Sequence, residues 1–375
     1  MSSLTKKKDI SISVFIPSGL GGGGAEQVVL NLAQGFKERE FKVDLVLLRT
    51  SGVFMAKIYS EIQVIDLGVK TEQPRLALRK LLALMRYLRR EQPTVLFAIS
   101  DTDNIAMWAK RLTGVSTRVI TVLQLPFSLI LEWMKSRLKR YLTVESYRWV
   151  DGIVASSQGV ANDLARTANL SLENIKVIYN PMVIAEILEK SKEPITHPWF
   201  ASGEPPVILG VGRLVKQKDF PTLIKAFSLV RQHLPAKLII IGEGEKRPEL
   251  EALVDKLDLG NEIDLPGFQM NPYAYMARAN IFVLSSIFEG FGNVIVEAMV
   301  VGTPVVSTNC ESGPAEILAN GKYGNLVPIR DVEALANAIV TTLNKPPNSE
   351  ILQQRARAFS LNSIITQYLE IAELS

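Results

Sequence analysis

The sequence predicts an α/β protein built from two doubly wound, Rossmann-like domains, and three observations carry that prediction. Short apolar runs alternate with segments of 3.6-residue periodicity along the whole chain. The alternation falls into two series, separated at 181–206 by a stretch with Pro181, Pro194, Pro198, Pro205 and Pro206 and no strong period. At 375 residues and 47% hydrophobic content, the chain exceeds one typical domain and can fill two cores.

Strands alternating with helices imply parallel sheets covered on both faces. The first series of strands is expected at Ile10–Ile16, Lys42–Leu48, Val64–Leu67, Val95–Ile99, Thr117–Val122, Gly152–Ala155 and Lys176–Ile178. The second is expected at Val207–Val211, Lys237–Ile241, Glu262–Leu265, Ile281–Leu284, Thr303–Ser307 and Asn325–Val327. The boundaries read as a first domain at 1–180, a linker at 181–206, a second domain at 207–355, and a C-terminal helix at 356–375 that packs back on the first domain. Doubly wound sheets bind ligands outside the carboxyl ends of their strands, so two of them predict a site in the cleft where they face each other.

The first strand runs into Pro17-Ser-Gly-Leu-Gly-Gly-Gly-Gly-Ala-Glu26 and then an amphipathic helix. Four successive glycines, Gly22 and Gly23 among them, allow close approach of the backbone to a ligand at a helix start. Gly19, Gly21 and Gly24 also fit G-x-G-x-x-G, the dinucleotide pattern. The acidic residue that pattern needs at the end of the second strand is absent, because Asp44 lies inside the strand. Asp101-Thr-Asp103 imitates a D-x-D metal motif. It stands between a strand and a helix, where capping of that helix is the simpler account and acceptor contact the alternative. Two basic amphipathic segments follow the pattern of helices that lie on anionic membranes, Arg75–Arg90 with Arg86 and Arg90, and Phe127–Tyr147 with Trp133, Leu138 and Tyr141. The alternative is that each packs its apolar face on the sheet.

The second domain holds the strongest motifs. Val207–Val211 leads directly into Gly212-Arg213-Leu-Val-Lys-Gln-Lys218. An Arg fork and a Lys point charge together suit a diphosphate. Ile281–Leu284 leads into Glu289-Gly290-Phe291-Gly292-Asn293-Val294-Ile-Val-Glu297, a turn and then a helix. The amides of Gly292, Asn293 and Val294 at a helix start form a phosphate cradle, and the flanking carboxylates accept hydrogen bonds from sugar hydroxyls. Such an arrangement points to a nucleotide-sugar site.

Composition excludes several classes. No apolar run is long enough to span a membrane, and the N-terminus Met1–Asp9 lacks the features of a signal peptide. One cysteine, Cys310, implies no internal disulfide and a reducing, cytoplasmic setting. Two histidines and no ligand cluster argue against a metal centre. Residues 1–180 carry 25 Lys and Arg against 16 Asp and Glu, net +9, while the remainder carries 17 against 22, net −5. A basic first half is expected to meet an anionic surface or a phosphorylated acceptor.

Taken in order, Gly22-Gly-Ala-Glu26-Gln, Val211-Gly-Arg-Leu-Val-Lys-Gln-Lys218, Ile241-Gly242-Glu-Gly244, Pro266-Gly-Phe268, Glu289 to Glu297, Gly302-Thr-Pro and Ser312-Gly-Pro-Ala-Glu316 resemble a retaining glycosyltransferase of the GT-B fold, family 4. The resemblance covers nearly the whole chain and is similar in its tail to bacterial enzymes that build polyprenyl-diphosphate-linked glycans and envelope polysaccharides. It implies a nucleotide-sugar donor, with UDP as the carrier. The acceptor would be a glycan or a polyprenyl-diphosphate-linked glycan, with an anionic membrane surface as a further partner and no nucleic acid. The first domain would bind acceptor and the second donor. Arg213 and Lys218 would neutralise the leaving diphosphate, Glu289 would bind the donor sugar and Glu297 the ribose. The backbone at Phe268 and Gln269 would read the base, with Gly242 and Gly244 lining that pocket. Glu26, Gln124, Asp101, Asp103, Arg86 and Arg90 are the acceptor-side candidates, and no metal or other cofactor is implied. Where family members carry a histidine after a first-domain strand, this chain has Gln124, which hydrogen-bonds but cannot act as a base. That departure keeps a non-catalytic relative open, beside an epimerase or a phosphorylase of the same two-domain plan.

Overall fold

The computed structural model describes residues 10–70, 76–100 and 104–374. The chain divides into two compact units, residues 1–181 with 361–375, and residues 182–360.

The first unit holds seven strands: β1 (Ser11–Ile16), β2 (Lys42–Leu47), β3 (Gln63–Asp66), β4 (Val95–Ile99), β5 (Arg118–Leu123), β6 (Gly152–Ala155) and β7 (Ile175–Val177). Their spatial order is β3-β2-β1-β4-β5-β6-β7, and every pairing is parallel. The central strands read as unbroken apolar runs because helices cover both faces. The second unit repeats the plan with β8 (Val207–Val211), β9 (Lys237–Ile241), β10 (Ile263–Gly267), β11 (Ile281–Leu284), β12 (Val305–Thr308) and β13 (Asn325–Val327), in the order β10-β9-β8-β11-β12-β13 and again all parallel. All thirteen expected strands are present, with ends displaced by no more than two residues. In each sheet the winding reverses beside the first strand of the series, between β1 and β4 and between β8 and β11. Those reversal points open the crevices that doubly wound sheets use for ligands.

The expected linker is corrected. Residues 182–206 belong to the second unit and include the helix Ile184–Ser191. The prolines flank this helix, and the run between them consists of good helix formers. Its C-terminal carbonyls are satisfied by Asn271 Nδ2, 2.8 Å from Lys190 O, and Arg278 Nη1, 3.2 Å from Ser191 O. The C-terminal boundary also moves. Phe359 belongs to the second unit and stacks edge-to-face on Phe291 at 5.5 Å, and the return to the first unit begins at 361. The helix Leu361–Ile371 crosses Gly24–Glu38 at Gly35, where a Cβ would lie 2.4 Å from Ile365 Cγ1. Tyr368 then closes a cluster with Phe36 and Phe97.

One buried acid stands out in the first unit. Asp44, inside β2, accepts a hydrogen bond from Tyr87 Oη at 2.9 Å, and Ser13 Oγ lies 2.6 Å from the same hydroxyl. Its other oxygen, Oδ1, is buried with no hydrogen-bond partner among the described residues. Burial raises the carboxyl above its ordinary value despite the Tyr87 hydrogen bond. A raised folded-state pKa means that the folded form holds this proton more tightly than the unfolded form. Its contribution to stability is therefore complete below the ordinary carboxylate pKa and is lost as pH rises through the folded value. Asp44→Asn removes that titration. The melting temperature of the variant relative to wild type is expected to be higher at pH 7 than at pH 4, and a difference independent of pH would refute this account.

Candidate active site

At the reversal point of the second sheet, the loops after β8 and β11 are bound to each other. Ser285 Oγ donates to Lys218 O at 2.7 Å, Ile287 N to Gln217 O at 2.8 Å, and Gln217 Nε2 to Phe288 O at 2.9 Å. The Lys218 stem lies across Gly212, where a Cβ would stand 3.1 Å from it. The lysine is thereby delivered to Glu289, with Nζ 2.6 Å from Oε1. Ser286 Oγ donates to the same oxygen at 2.6 Å. The two side chains are 14% and 9% exposed, so the pair sits where charge interactions are strong and poorly screened. Oε2 of Glu289 accepts no hydrogen bond among the described residues. Arg213, in the same loop, is exposed and makes no ion pair or side-chain hydrogen bond among the described residues.

Beyond Glu289 and Gly290 the chain turns at Gly292, whose φ of +100° suits glycine, into the helix Asn293–Val300. Gly292, at the N-cap, has no side chain with which to cap this helix. Phe291 is buried, and Gly313 presses on it so closely that a Cβ would fall 1.8 Å from Phe291 O. Ile295, Val296, Met299 and Val300 anchor the helix in the core. Glu297, one turn in, is 8% exposed, and its charge joins burial in raising the Tyr273 hydroxyl well above its ordinary value.

Gly242 and Gly244 have a packing role visible in the geometry. A Cβ on Gly242 would meet Gly212 O at 1.9 Å, and one on Gly244 would meet Leu214 O at 2.4 Å. The β9 loop therefore lies on the β8 loop and steadies Arg213, with Leu214 N donating to Glu243 O at 2.8 Å. Phe268 follows β10 and is exposed, while Gln269 Nε2 donates to Pro266 O at 3.2 Å.

Two residues of this site carry no motif of their own. Ser286 follows a strand and could be marked only by the pairing it makes. Cys310 lies after β12, and burial followed by the charge of Glu289 pushes its thiol up to about 12, with Lys218 opposing. A thiol so raised stays protonated and behaves as packing.

In the first unit, Gly22, with φ +102°, and Gly23 turn the chain from β1 into Gly24–Glu38. The Glu26 carboxylate folds back over this start, 2.6 Å from where a Gly23 Cβ would be. Gln124, at the end of β5, exchanges two amide hydrogen bonds of 2.9 Å with Asn180. Beside it lies a cavity of about 20 Å³, lined by Ser100, Leu123, Ile130 and Tyr147 among others. It has room for about one water.

Arg86 and Arg90, the other acceptor-side candidates, are placed away from this edge by their helix. They lie toward the C-terminal end of Leu76–Glu91, a helix that runs back against the strands and stops just before β4 begins. Arg90 there pairs with Glu91 at 2.6 Å. Asp101 and Asp103 lie outside the described residues. The following helix, Ile105–Thr113, begins after Asn104, whose side chain donates to Ser146 Oγ at 2.7 Å and does not cap it.

Comparison with known proteins matches residues 191–359 to the model of the glycosyl transferases group 1 and residues 22–185 to that of glycosyltransferase family 4. The lipopolysaccharide core biosynthesis glycosyltransferase LpsE of Rhizobium meliloti is 31% identical over 291 residues, 76% of each chain. The N-acetylgalactosamine-N,N'-diacetylbacillosaminyl-diphospho-undecaprenol 4-alpha-N-acetylgalactosaminyltransferase of Campylobacter jejuni is 29% identical over 352 residues, 92% of this chain and 93% of the relative. Among solved structures, Anabaena Alr3699/HepE in complex with UDP and glucose has a TM-score of 0.79 at 21% identity, covering 97% of this chain and 99% of its own.

Proposed function

The chain belongs to the family 4, group 1 glycosyltransferases of GT-B architecture, and from that premise we propose that it transfers a sugar from a UDP-linked donor to a hydroxyl of a lipid-linked or envelope glycan, with retention of configuration and without a metal. The observation that carries the reading is the buried Lys218–Glu289 pair beside an uncapped helix start and the unpaired Arg213. Lys218, Arg213 and the helix start all follow β8 and β11, as a site for a departing diphosphate would need, and Glu289 Oε2 is left to accept a sugar hydroxyl.

In the proposed reaction the anomeric carbon loses its bond to the diphosphate oxygen and gains one to the acceptor oxygen. Arg213 and Lys218 stabilise the charge that develops on the departing diphosphate, with the amides at Gly292 and Val294 beside them. Glu289 holds the sugar through Oε2, Glu297 takes the ribose hydroxyls, and the base lies against the backbone at Phe268 and Gln269. The acceptor proton passes to a donor phosphate oxygen on the same face. Gln124, bonded to Asn180, is no alternative destination, because an amide cannot accept that proton. A lipid-linked acceptor is supported by the Campylobacter relative, which acts on a diphospho-undecaprenol glycan, and a UDP donor by the Anabaena structure.

Nucleotide preference supplies the test. A ligand at one hundred times its dissociation constant stabilises by about 2.7 kcal/mol. UDP is therefore expected to raise the melting temperature by ~5 °C or more, with ADP, GDP and NAD shifting it little. A larger shift with any of those three would overturn the UDP assignment. UDP release from a donor panel, dependent on a polyprenyl-diphosphate-linked acceptor, then tests transfer itself.

A further inference from the structure

Of the helical pair Phe127–Trp133 and Arg137–Ser146, which follows β5, the first buries Phe127 and Ile130 and the second is turned inside out. In the second helix Leu138, Tyr141 and Leu142 share one face by their i, i+3, i+4 spacing, and that face meets solvent, with exposures of 67%, 62% and 38%. Trp133 joins them at 57%. The small polar residues Thr143 and Ser146 point inward, where Ser146 Oγ receives Asn104 Nδ2 at 2.7 Å. A surface helix of a soluble domain ordinarily has the opposite arrangement, and a contiguous apolar patch of this kind marks an interaction surface. The element is well braced. Ser136 caps the second helix through Lys139 N, and Arg140 Nε donates to Met134 O at 2.7 Å across the turn. The patch is therefore a built surface of the unit.

We infer that this face docks on an anionic lipid bilayer. Lys135, Arg137, Lys139 and Arg140 are all exposed and alternate in sequence with the apolar residues, and Glu132 and Glu145 are the only acids between 131 and 148. Trp and Tyr among Lys and Arg is the composition of a membrane interface, where rings sit at headgroup level and cations meet lipid phosphate. A second copy of the chain fits poorly, since a two-fold contact would set these cations against themselves. Lysine is also depleted at protein–protein contacts. No helix among the described residues is long and apolar enough to cross a membrane, so attachment here is peripheral. The helix Leu76–Glu91 is different. It buries Ala83, Leu84, Tyr87 and Leu88 on the sheet, and its arginines at 86, 89 and 90 lie toward the far end. Ile130, on the first helix of the pair, and Tyr147, just past the end of the second, line the cavity beside Gln124, so a bilayer held here would present a lipid-borne acceptor at the ends of β4 and β5. That last step rests on the transfer reading, whereas the docking itself does not.

Flotation with vesicles of phosphatidylglycerol and phosphatidylcholine in equal parts tests the inference without turnover, so its failure leaves the transfer reading standing. Wild type is expected to float with these vesicles and far less with phosphatidylcholine alone. Combined Trp133→Ser, Leu138→Ser and Tyr141→Ser, and separately Arg137→Glu with Lys139→Glu, are expected to weaken partition at least ~tenfold. Arg86→Glu with Arg89→Glu and Arg90→Glu is expected to leave it unchanged. An equal UDP melting shift in all variants confirms that each is folded. Absence of wild-type flotation, equal flotation of the patch variants, or equal loss in the far-end variant overturns the inference. So does a wild-type dimer in light scattering that the patch substitutions dissociate while flotation is absent.

Discussion

Lys218→Met is expected to slow sugar transfer by about 10²–10³-fold and to destabilise the second unit by about 3 kcal/mol. Both effects come from one geometry. In the wild type Glu289 is buried and receives Lys218 Nζ and Ser286 Oγ on a single oxygen, each at 2.6 Å. Removing the cation leaves a largely buried carboxylate that Ser286 and little water support. Breaking a buried pair costs far more than the pair itself contributes. Glu289→Gln in the Lys218→Met background removes the stranded charge, and part of the lost stability is expected to return. Across the four proteins the coupling should exceed ~1.5 kcal/mol. In transfer kinetics the double variant is expected to be about as slow as either single one, because the two side chains act together on donor sugar and diphosphate. Additive stability effects, or transfer within tenfold of wild type, would remove the pair from the centre of the site.

The strands and their parallel order were legible because each is a short apolar run closed by glycine, proline or a polar turn, as at Val207–Val211 before Gly212. The two loop motifs after β8 and β11 were legible for the same local reason. Lys218 and Glu289 each stand within a few residues of a strand end. Their pairing was not legible, since it spans 71 residues and depends on β8 and β11 lying side by side. The Gln124–Asn180 exchange is hidden in the same way. The segment 181–206 was misread because prolines were weighted over the proline-free run between them. Arg86 and Arg90 were placed by the periodicity of their helix, which gives a face but not an end. Only the sheet decides that the helix runs back toward the start of β4. Periodicity likewise located the apolar stripe of Arg137–Ser146 without saying which side faces the protein, and there the usual assumption is reversed.

Arg213→Ala is the counterpart in which rate and stability come apart. The side chain is exposed and unpaired among the described residues, so stability should change by no more than ~0.5 kcal/mol. Its backbone is held independently by the β9 loop, where Gly242 and Gly244 admit the carbonyls of Gly212 and Leu214. Transfer is expected to fall by ~10²-fold or more, because a guanidinium stabilises charge only as it accumulates on the leaving diphosphate. The loss should therefore appear in kcat more than in KM for the donor. Arg213→Lys restores charge without the planar fork and is expected to recover only part of the rate. Steady-state kinetics with one donor and one acceptor separate these outcomes. A donor KM raised with kcat intact would make Arg213 a binding group alone. An unchanged rate would leave Lys218 as the sole cation of the leaving-group side. The dependence on leaving group is diagnostic as well. If Arg213 neutralises departing charge, a donor with a less basic leaving group should narrow the gap between variant and wild type, whereas a purely structural arginine would leave that gap constant.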